Sequence, residues 1–185
     1  MQHRPLTALE DGLAEIRSSP KDAGTVELIA CRPAEDEREL LAQAELDPEF
    51  GVVGDSWHAR PTGSTEDGSA HPDRQLTVMN ARAAAVVAGA RERWALAGDQ
   101  LYVDLDLSVA NLPPGTRLEL GSAVIEVTAE PHLGCGKFAR RFGTDALRFV
   151  NSQVGRELNL RGVNARVVTG GRVETGKTIR RAAGR

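Results

Sequence analysis

Cys135 stands between two glycines, with His132 three residues before it and Lys137, Arg140 and Arg141 within six residues after it. A thiol reacts as its thiolate, and neighbouring positive charge lowers its pKa toward neutrality. Gly134 and Gly136 let the backbone bend and let a ligand approach closely. The stretch from Pro131 to Phe142 follows the β-like run Ala123 to Thr128, which puts Cys135 on a loop at a strand's end. Two readings of the thiol stand side by side. It is a reactive group in an electropositive loop, or it is a small buried hydrophobe, the usual fate of a free cysteine.

Asp55, Trp57 and His58 form a second cluster on a short loop opened by Gly51 and Gly54. A Trp-His pair at a turn either lines a pocket or anchors the loop to the core. Residues 60–74 are rich in Gly, Ser, Thr, Pro and Asp and read as a long loop, a candidate lid over the site. His132 and Cys135 have i, i+3 spacing, but the absence of a second pair of Cys or His at ligand spacing argues against structural zinc. A Cys-His hydrolase built on Cys135 with His132 or His58 lacks a third group to orient the base. His3 and His71 stand in polar surroundings and read as solvated. Gly171 to Thr178 fits the phosphate-loop pattern letter for letter. That mechanism needs a following helix and a later metal-binding acid, and only seven residues follow Thr178, so the match is rejected.

A chain of 185 residues forms one domain with a sizeable core. Apolar residues make up 41% and charged residues 26%, ordinary values for a soluble protein, while 4% aromatics leave the core to aliphatic side chains. Nothing approaches the roughly 18 consecutive apolar residues of a membrane helix. The run from Met1 to Ile16 is too charged for a signal peptide, and Cys31 and Cys135 give no disulfide framework. The expected compartment is the cytoplasm. The net charge of −3 hides a basic segment, His132 to Arg185, of formal charge +9 against −12 for the rest. Such a field favours a small anionic ligand. Nucleic acid is the weaker choice, because the basic third has few stacking aromatics and the chain is acidic overall. Arg180, Arg181 and Arg185 read as a solvated tail.

The elements that must position these residues follow from periodicity. Leu6, Leu9, Leu13 and Ile16 predict a first helix. Residues 24–31 predict a strand in which Cys31 packs. The acidic stretch 34–46 is helix-friendly, with Leu40, Leu41 and Ala44 on its buried side. Residues 74–79 predict a strand, and Asn80 an N-cap for an Ala-rich helix ending at Gly89 or Gly98. Leu101 to Leu105 is β, and residues 117–120 and 123–128 form a hairpin about Gly121-Ser122. Residues 144–154 predict a helix, and 162–168 with 172–174 a hairpin turning at Gly170-Gly171. There are no internal repeats. Many short strands with a few peripheral helices predict a mainly β fold, a closed or nearly closed barrel of mixed, largely antiparallel strands.

Three stretches resemble the MOSC family, named after the C-terminal domain of molybdenum cofactor sulfurase. They are Val53-Gly54-Asp55-Ser56-Trp57, Gly98-Asp99-Gln100-Leu101 leading to residues 112–118, and Val124 to Phe142 around Cys135; the closing segment from Arg161 to Gly176 also suits the family. The similarity covers roughly residues 24–179, with 1–20 as an added helix and 180–185 as a basic tail. It implies a barrel of the pyruvate-kinase-barrel-like kind. It also implies that Cys135 matches the family cysteine, which carries sulfur or coordinates molybdenum. The implied activity is reduction of N-hydroxylated substrates by a molybdenum–pterin cofactor (molybdopterin), with an external electron donor.

On that reading Cys135 is the metal ligand, with His132 beside it. Lys137, Arg140 and Arg141 would hold the cofactor's phosphate or tune the thiolate, and Asp55, Trp57, His58 and His132 would shape the substrate side. The alternatives are a sulfur carrier loaded by a cysteine desulfurase and an anion-binding module without chemistry. Pyridoxal phosphate enters by family association only, since no lysine has a Schiff-base context. Where many active relatives carry arginine and proline before the cysteine, this chain has Pro131-His132-Leu133-Gly134.

Overall fold

The computed structural model describes residues 3–59, 65 and 67–183. Its centre is a closed barrel of seven strands. These are β1 (Ala23–Cys31), β5 (Leu76–Asn80), β6 (Leu101–Asp104), β7 (Arg117–Leu120), β8 (Ala123–Val127), β9 (Val163–Thr169) and β11 (Thr178–Arg181), paired in the order β11-β7-β8-β9-β5-β6-β1 and closed by β1 on β11. The β5–β6 pair is parallel and the other six are antiparallel. A short eighth strand, β2 (Glu39–Leu41), extends β1 beyond the ring. A separate sheet joins β3 (Gln43–Asp47) to β4 (Gly51–Val52) and β10 (Gly171–Glu174). The expected mainly β, mixed barrel is what forms.

Two packed layers explain the pattern of the strands. Val26 and Ile29 of β1, Leu76 and Val78 of β5, and Leu101 and Val103 of β6 fill the barrel interior with Leu118, Leu120, Ile125 and Ile179. Leu28, Ala30, Met79 and Tyr102, from the same three strands, point outward into a second cluster with the helices. These strands are therefore apolar on both faces. β7 and β8 carry Arg117, Glu119 and Glu126 on the outer side and read as plain alternation. The outer cluster takes in α1 (Leu6–Glu10), α2 (Leu13–Arg17), α3 (Ala81–Ala88), α4 (Gly136–Phe142) and α5 (Thr144–Asn151), with Leu158 packed beside it just beyond α6 (Gln153–Glu157). None of the helices is long and apolar enough to cross a membrane, among the described residues.

Several local expectations change. The helix expected over 34–46 is instead β2 and β3, in which Ala44 and Leu46 are buried at period two and Leu40 is exposed. β9 and β10 do not pair with each other; β9 lies between β8 and β5, and β10 joins β3. Arg180 and Arg181 are not a free tail, because they lie in β11, the strand that closes the barrel, and Arg180 pairs with Glu119. The first helix breaks in two at Asp11-Gly12, and residues 144–157 form two helices split at Ser152. The rejected phosphate loop is β10, a turn and β11, with no helix after it among the described residues. Of the candidate lid, 60–64 and 66 lie outside the described residues; Pro72–Arg74 is a 3-10 turn.

Candidate functional site

Beyond β8 the chain runs without regular structure to Cys135 and is pinned as it goes. Gly134 donates to Asn151 Oδ1 at 2.9 Å and accepts from Asn151 Nδ2 at 3.0 Å. A Cβ on Gly134 would lie 2.8 Å from Leu147 and 2.9 Å from Val150, so only glycine lets this segment lie flat on α5. Cys135 is the extended residue that caps α4, and its thiol is exposed. The sequence reading missed α4. Its signal was Phe138 and Phe142 one turn apart; their rings stack with centroids 4.9 Å apart on the buried side. Lys137, Arg140 and Arg141 are left on the outer faces.

The thiol's surroundings set its chemistry. Partial burial pushes the Cys135 pKa up. The Phe138 and Lys137 amides and the Arg161 and Arg141 charges outweigh this, so the value falls below the ordinary thiol's 9.0. Cys31 goes the other way, raised first by burial and then by the negative charges of Asp55 and Glu39. The chain thus has one activated thiol and one packed thiol.

Cys135 opens on a cleft of about 510 Å³ whose walls include Arg32, Glu35, Asp36, Arg38, Ser56, Gly98, Lys137 and Arg141. Arg32, directly after β1, clamps the Asp55 carboxylate through Nε at 2.8 Å and Nη2 at 2.9 Å, and the Arg32 and Trp57 amides also donate to it at 3.0 and 2.9 Å. Asp55 is buried and fastens the loop to the end of β1. Trp57 and His58 are not among the residues that line the cleft; the His58 ring meets the Phe50 ring edge-on with centroids 5.0 Å apart. Lys137 pairs with Glu35, and Arg141 Nη2 lies 2.5 Å from Asp36. Arg140 is exposed and reaches back toward Gly136.

Beneath α4, His132, which the sequence reading named, meets Asp99 and Arg161, which it did not single out as site residues. Arg161 Nη1 donates to Asp99 Oδ2 at 2.6 Å and Nη2 to the Ala97 carbonyl at 2.8 Å, with the guanidinium 5.1 Å from the Phe138 ring centroid. His132 Nδ1 stands 3.5 Å from Asp99 Oδ1, and neither atom meets a hydrogen-bond partner. Burial, with the Arg161 and Arg32 charges, holds His132 well below its usual 6.5, so this imidazole is neutral. Burial lifts Asp99 above 3.8, with Arg161 opposing. Asp99 and Arg161 are 62 positions apart, and only their places in the resembling stretches marked them.

No family model matches the chain, and no curated protein matches it in sequence. Solved structures do match in fold. YuaD from Bacillus subtilis is similar at a TM-score of 0.65 and 15% identity, over 85% of this chain and 94% of that one. YiiM from Escherichia coli gives 0.56 at 18% identity, over 87% and 71%. YiiM from Geobacillus stearothermophilus gives 0.53 at 13%, over 89% and 75%. With the seven-strand barrel, these likenesses fit a MOSC-like fold.

Proposed function

We propose that this chain is a MOSC-like domain that works through the Cys135 thiolate and holds a molybdenum–pterin cofactor by that sulfur. The observation that carries the reading is an exposed thiol of lowered pKa opening on a cation-walled cleft. Among the described residues no three His, Cys, Asp or Glu side chains gather as a metal site. Cys135 would therefore be a single soft ligand, the kind that suits a metal whose other ligands arrive with a cofactor. Lys137 and Arg141 line the cleft, which supplies cations for a phosphate.

Such a cofactor, when bound, supplies two-electron reduction, and N-hydroxylated compounds such as amidoximes and hydroxylaminopurines are the substrate class we assign, with an external electron donor. The chain's own part is to favour the ionised form of Cys135, to hold α4 through the Phe138–Arg161 contact, and to keep neutral His132 beside Asp99, where a proton can be held at Nδ1. Expression in a host that makes the cofactor, followed by metal and pterin analysis, tests this. Near one of each per chain, lost in Cys135→Ser, is expected; equal content in wild type and variant would sink it.

The exposed thiolate favours one alternative that needs no metal. Cys135 would attack the outer sulfur of a desulfurase persulfide, breaking that S–S bond, releasing the desulfurase thiolate and leaving a persulfide on Cys135. Absence of a one-sulfur mass increase after incubation with a cysteine desulfurase and cysteine would rule it out.

A further inference from the structure

We infer that a small cavity walled by the segment from Val127 to His132 is a second ligand site, which takes a compact apolar compound with a neutral O–H or N–H donor and receives that donor at His132 Nε2. The cavity is about 160 Å³ and shares no lining residue with the Cys135 cleft. Val109, Leu112, Pro114, Val127, Pro131 and Val163 give it apolar walls, and Val109, 52% exposed, forms an apolar lip. An apolar space of that size holds a single aromatic ring. His132, expected beside the thiol, lines this cavity and not the cleft.

The polar groups of the cavity decide what it can take. His132 Nδ1 is buried 3.5 Å from Asp99 Oδ1, and a carboxylate on that side keeps the ring's proton on Nδ1. The lone pair is then on Nε2, which is not buried and meets no hydrogen-bond partner among the described residues. Donors around the cavity are already engaged. Thr128 Oγ1 donates to the Asp73 carbonyl at 2.7 Å, and the Val109 and Gly162 amides donate to the Glu157 and Asn159 carbonyls at 3.0 and 2.7 Å. A ligand must therefore bring the donor, which disfavours an anion. It must also be neutral, because the Arg161 and Arg32 charges that keep His132 unprotonated oppose a second cation at the same ring. Glu130, the acid of the wall, is paired with Arg74 at 2.7 Å. Burial of the apolar body supplies affinity. The hydrogen bond supplies selectivity, since an analogue without the donor would cover Nε2 and leave it unpaired. The inference rests on this cavity and on neither Cys135 nor molybdenum.

NMR titration of the isotope-labelled, full-length protein tests it, with phenol and, separately, with anisole, which keeps the ring and loses the hydroxyl proton. Phenol is expected to saturate one site per chain and to shift the Val109, Leu112 and Val163 amides and the His132 ring nitrogens. Anisole is expected to bind at least about tenfold more weakly. Val109→Trp, which changes an exposed side chain at the lip, should weaken phenol binding at least about tenfold with an unchanged melting temperature. His132→Leu should bind the two compounds alike. Equal affinity of wild type for phenol and anisole, a result that needs no variant to fold, would overturn recognition at Nε2, and so would a preference for phenol kept in His132→Leu. Shifts that do not saturate or that miss these residues, or undiminished binding in Val109→Trp, would overturn the site. Cys135→Ser should leave these affinities as they are, so failure of the molybdenum reading would not touch them.

Discussion

Arg161 and Asp99 meet at 2.6 Å with side chains 8% and 0% exposed, a charge pair shut between the barrel and α4. Desolvating two charges costs several kcal/mol each, and their attraction offsets this only while both are present. Arg161→Met is therefore expected to lose about 3–5 kcal/mol of unfolding free energy, because it leaves the Asp99 carboxylate buried alone. Asp99→Leu/Arg161→Met should recover a large part of the loss. Urea titrations of the two variants decide it. A single variant within about 1 kcal/mol of wild type would mean that Asp99 sheds its charge by taking up a proton and does not depend on Arg161.

Cys135 and Cys31 should differ sharply in reactivity. The first thiol is held below 9.0 and the second above it, so at pH 7 the thiolate fraction is larger on Cys135. Alkylation by iodoacetamide in the native state, followed by peptide mass spectrometry, should modify exposed Cys135 well before buried Cys31. Unfolding in urea should bring the two rates together. Arg141→Gln removes one of the charges that lower the Cys135 pKa and should slow its alkylation at pH 7. Matching native rates for the two cysteines would contradict the electrostatics described for α4.

The barrel was legible because period two survives in the strands that face water on one side, as in Arg117–Leu120 and Ala123–Val127. Residues 34–46 misled because acidic, helix-friendly composition outweighed the short alternation of Gln43–Asp47, whose partner β10 lies more than a hundred residues away. Cys135 was legible from its own neighbours. Lys137 and Arg141, which help to lower its pKa, were legible with it; Arg161 was not, since it reaches the site through a long-range contact to Asp99. For Asp55 the sequence left pocket lining and loop anchoring side by side, because a lone acid in a Gly-rich loop gives no sign that an arginine 23 positions earlier pairs with it.

Asn80, read in sequence as an N-cap, has a larger role than capping. Its Oδ1 accepts from the Ala83 amide at 3.0 Å, and its Nδ2 donates to Ser19 Oγ at 2.8 Å and to the Leu105 carbonyl at 2.7 Å, all buried. It ties α3 to the end of α2 and to the chain after β6. Losing the cap costs about 1 kcal/mol, and each buried partner left unsatisfied costs about 1–3 more. Asn80→Ala is expected to destabilise by at least about 2 kcal/mol. Asn80→Ser keeps a capping oxygen and loses the reach of both donated bonds without burying a charge, and so should fall between the two. Thermal unfolding of the three proteins gives the order; equal melting temperatures for Asn80→Ser and Asn80→Ala would show that the cap itself contributes nothing.

His132 gives the fold a dependence on acid whose sign can be worked out. In the folded chain burial holds this imidazole well below 6.5, whereas the unfolded chain protonates it near that value. Between the two values the unfolded state binds more protons, so stability falls as the pH drops from 7 toward 5, by up to about 1.4 kcal/mol per unit. Asp99 acts in the opposite sense. Its folded value is raised above 3.8, so the folded chain takes up that proton first and gains stability as the pH falls toward 3.8. Comparison with a variant isolates the histidine: His132→Gln cannot take up the proton in either state. Urea midpoints at pH 7.0, 6.0 and 5.0 should fall more steeply in wild type than in His132→Gln. Parallel curves would mean that His132 charges as readily in the fold as out of it, and would leave Asp99 Oδ1 with an imidazolium at 3.5 Å in place of a neutral ring.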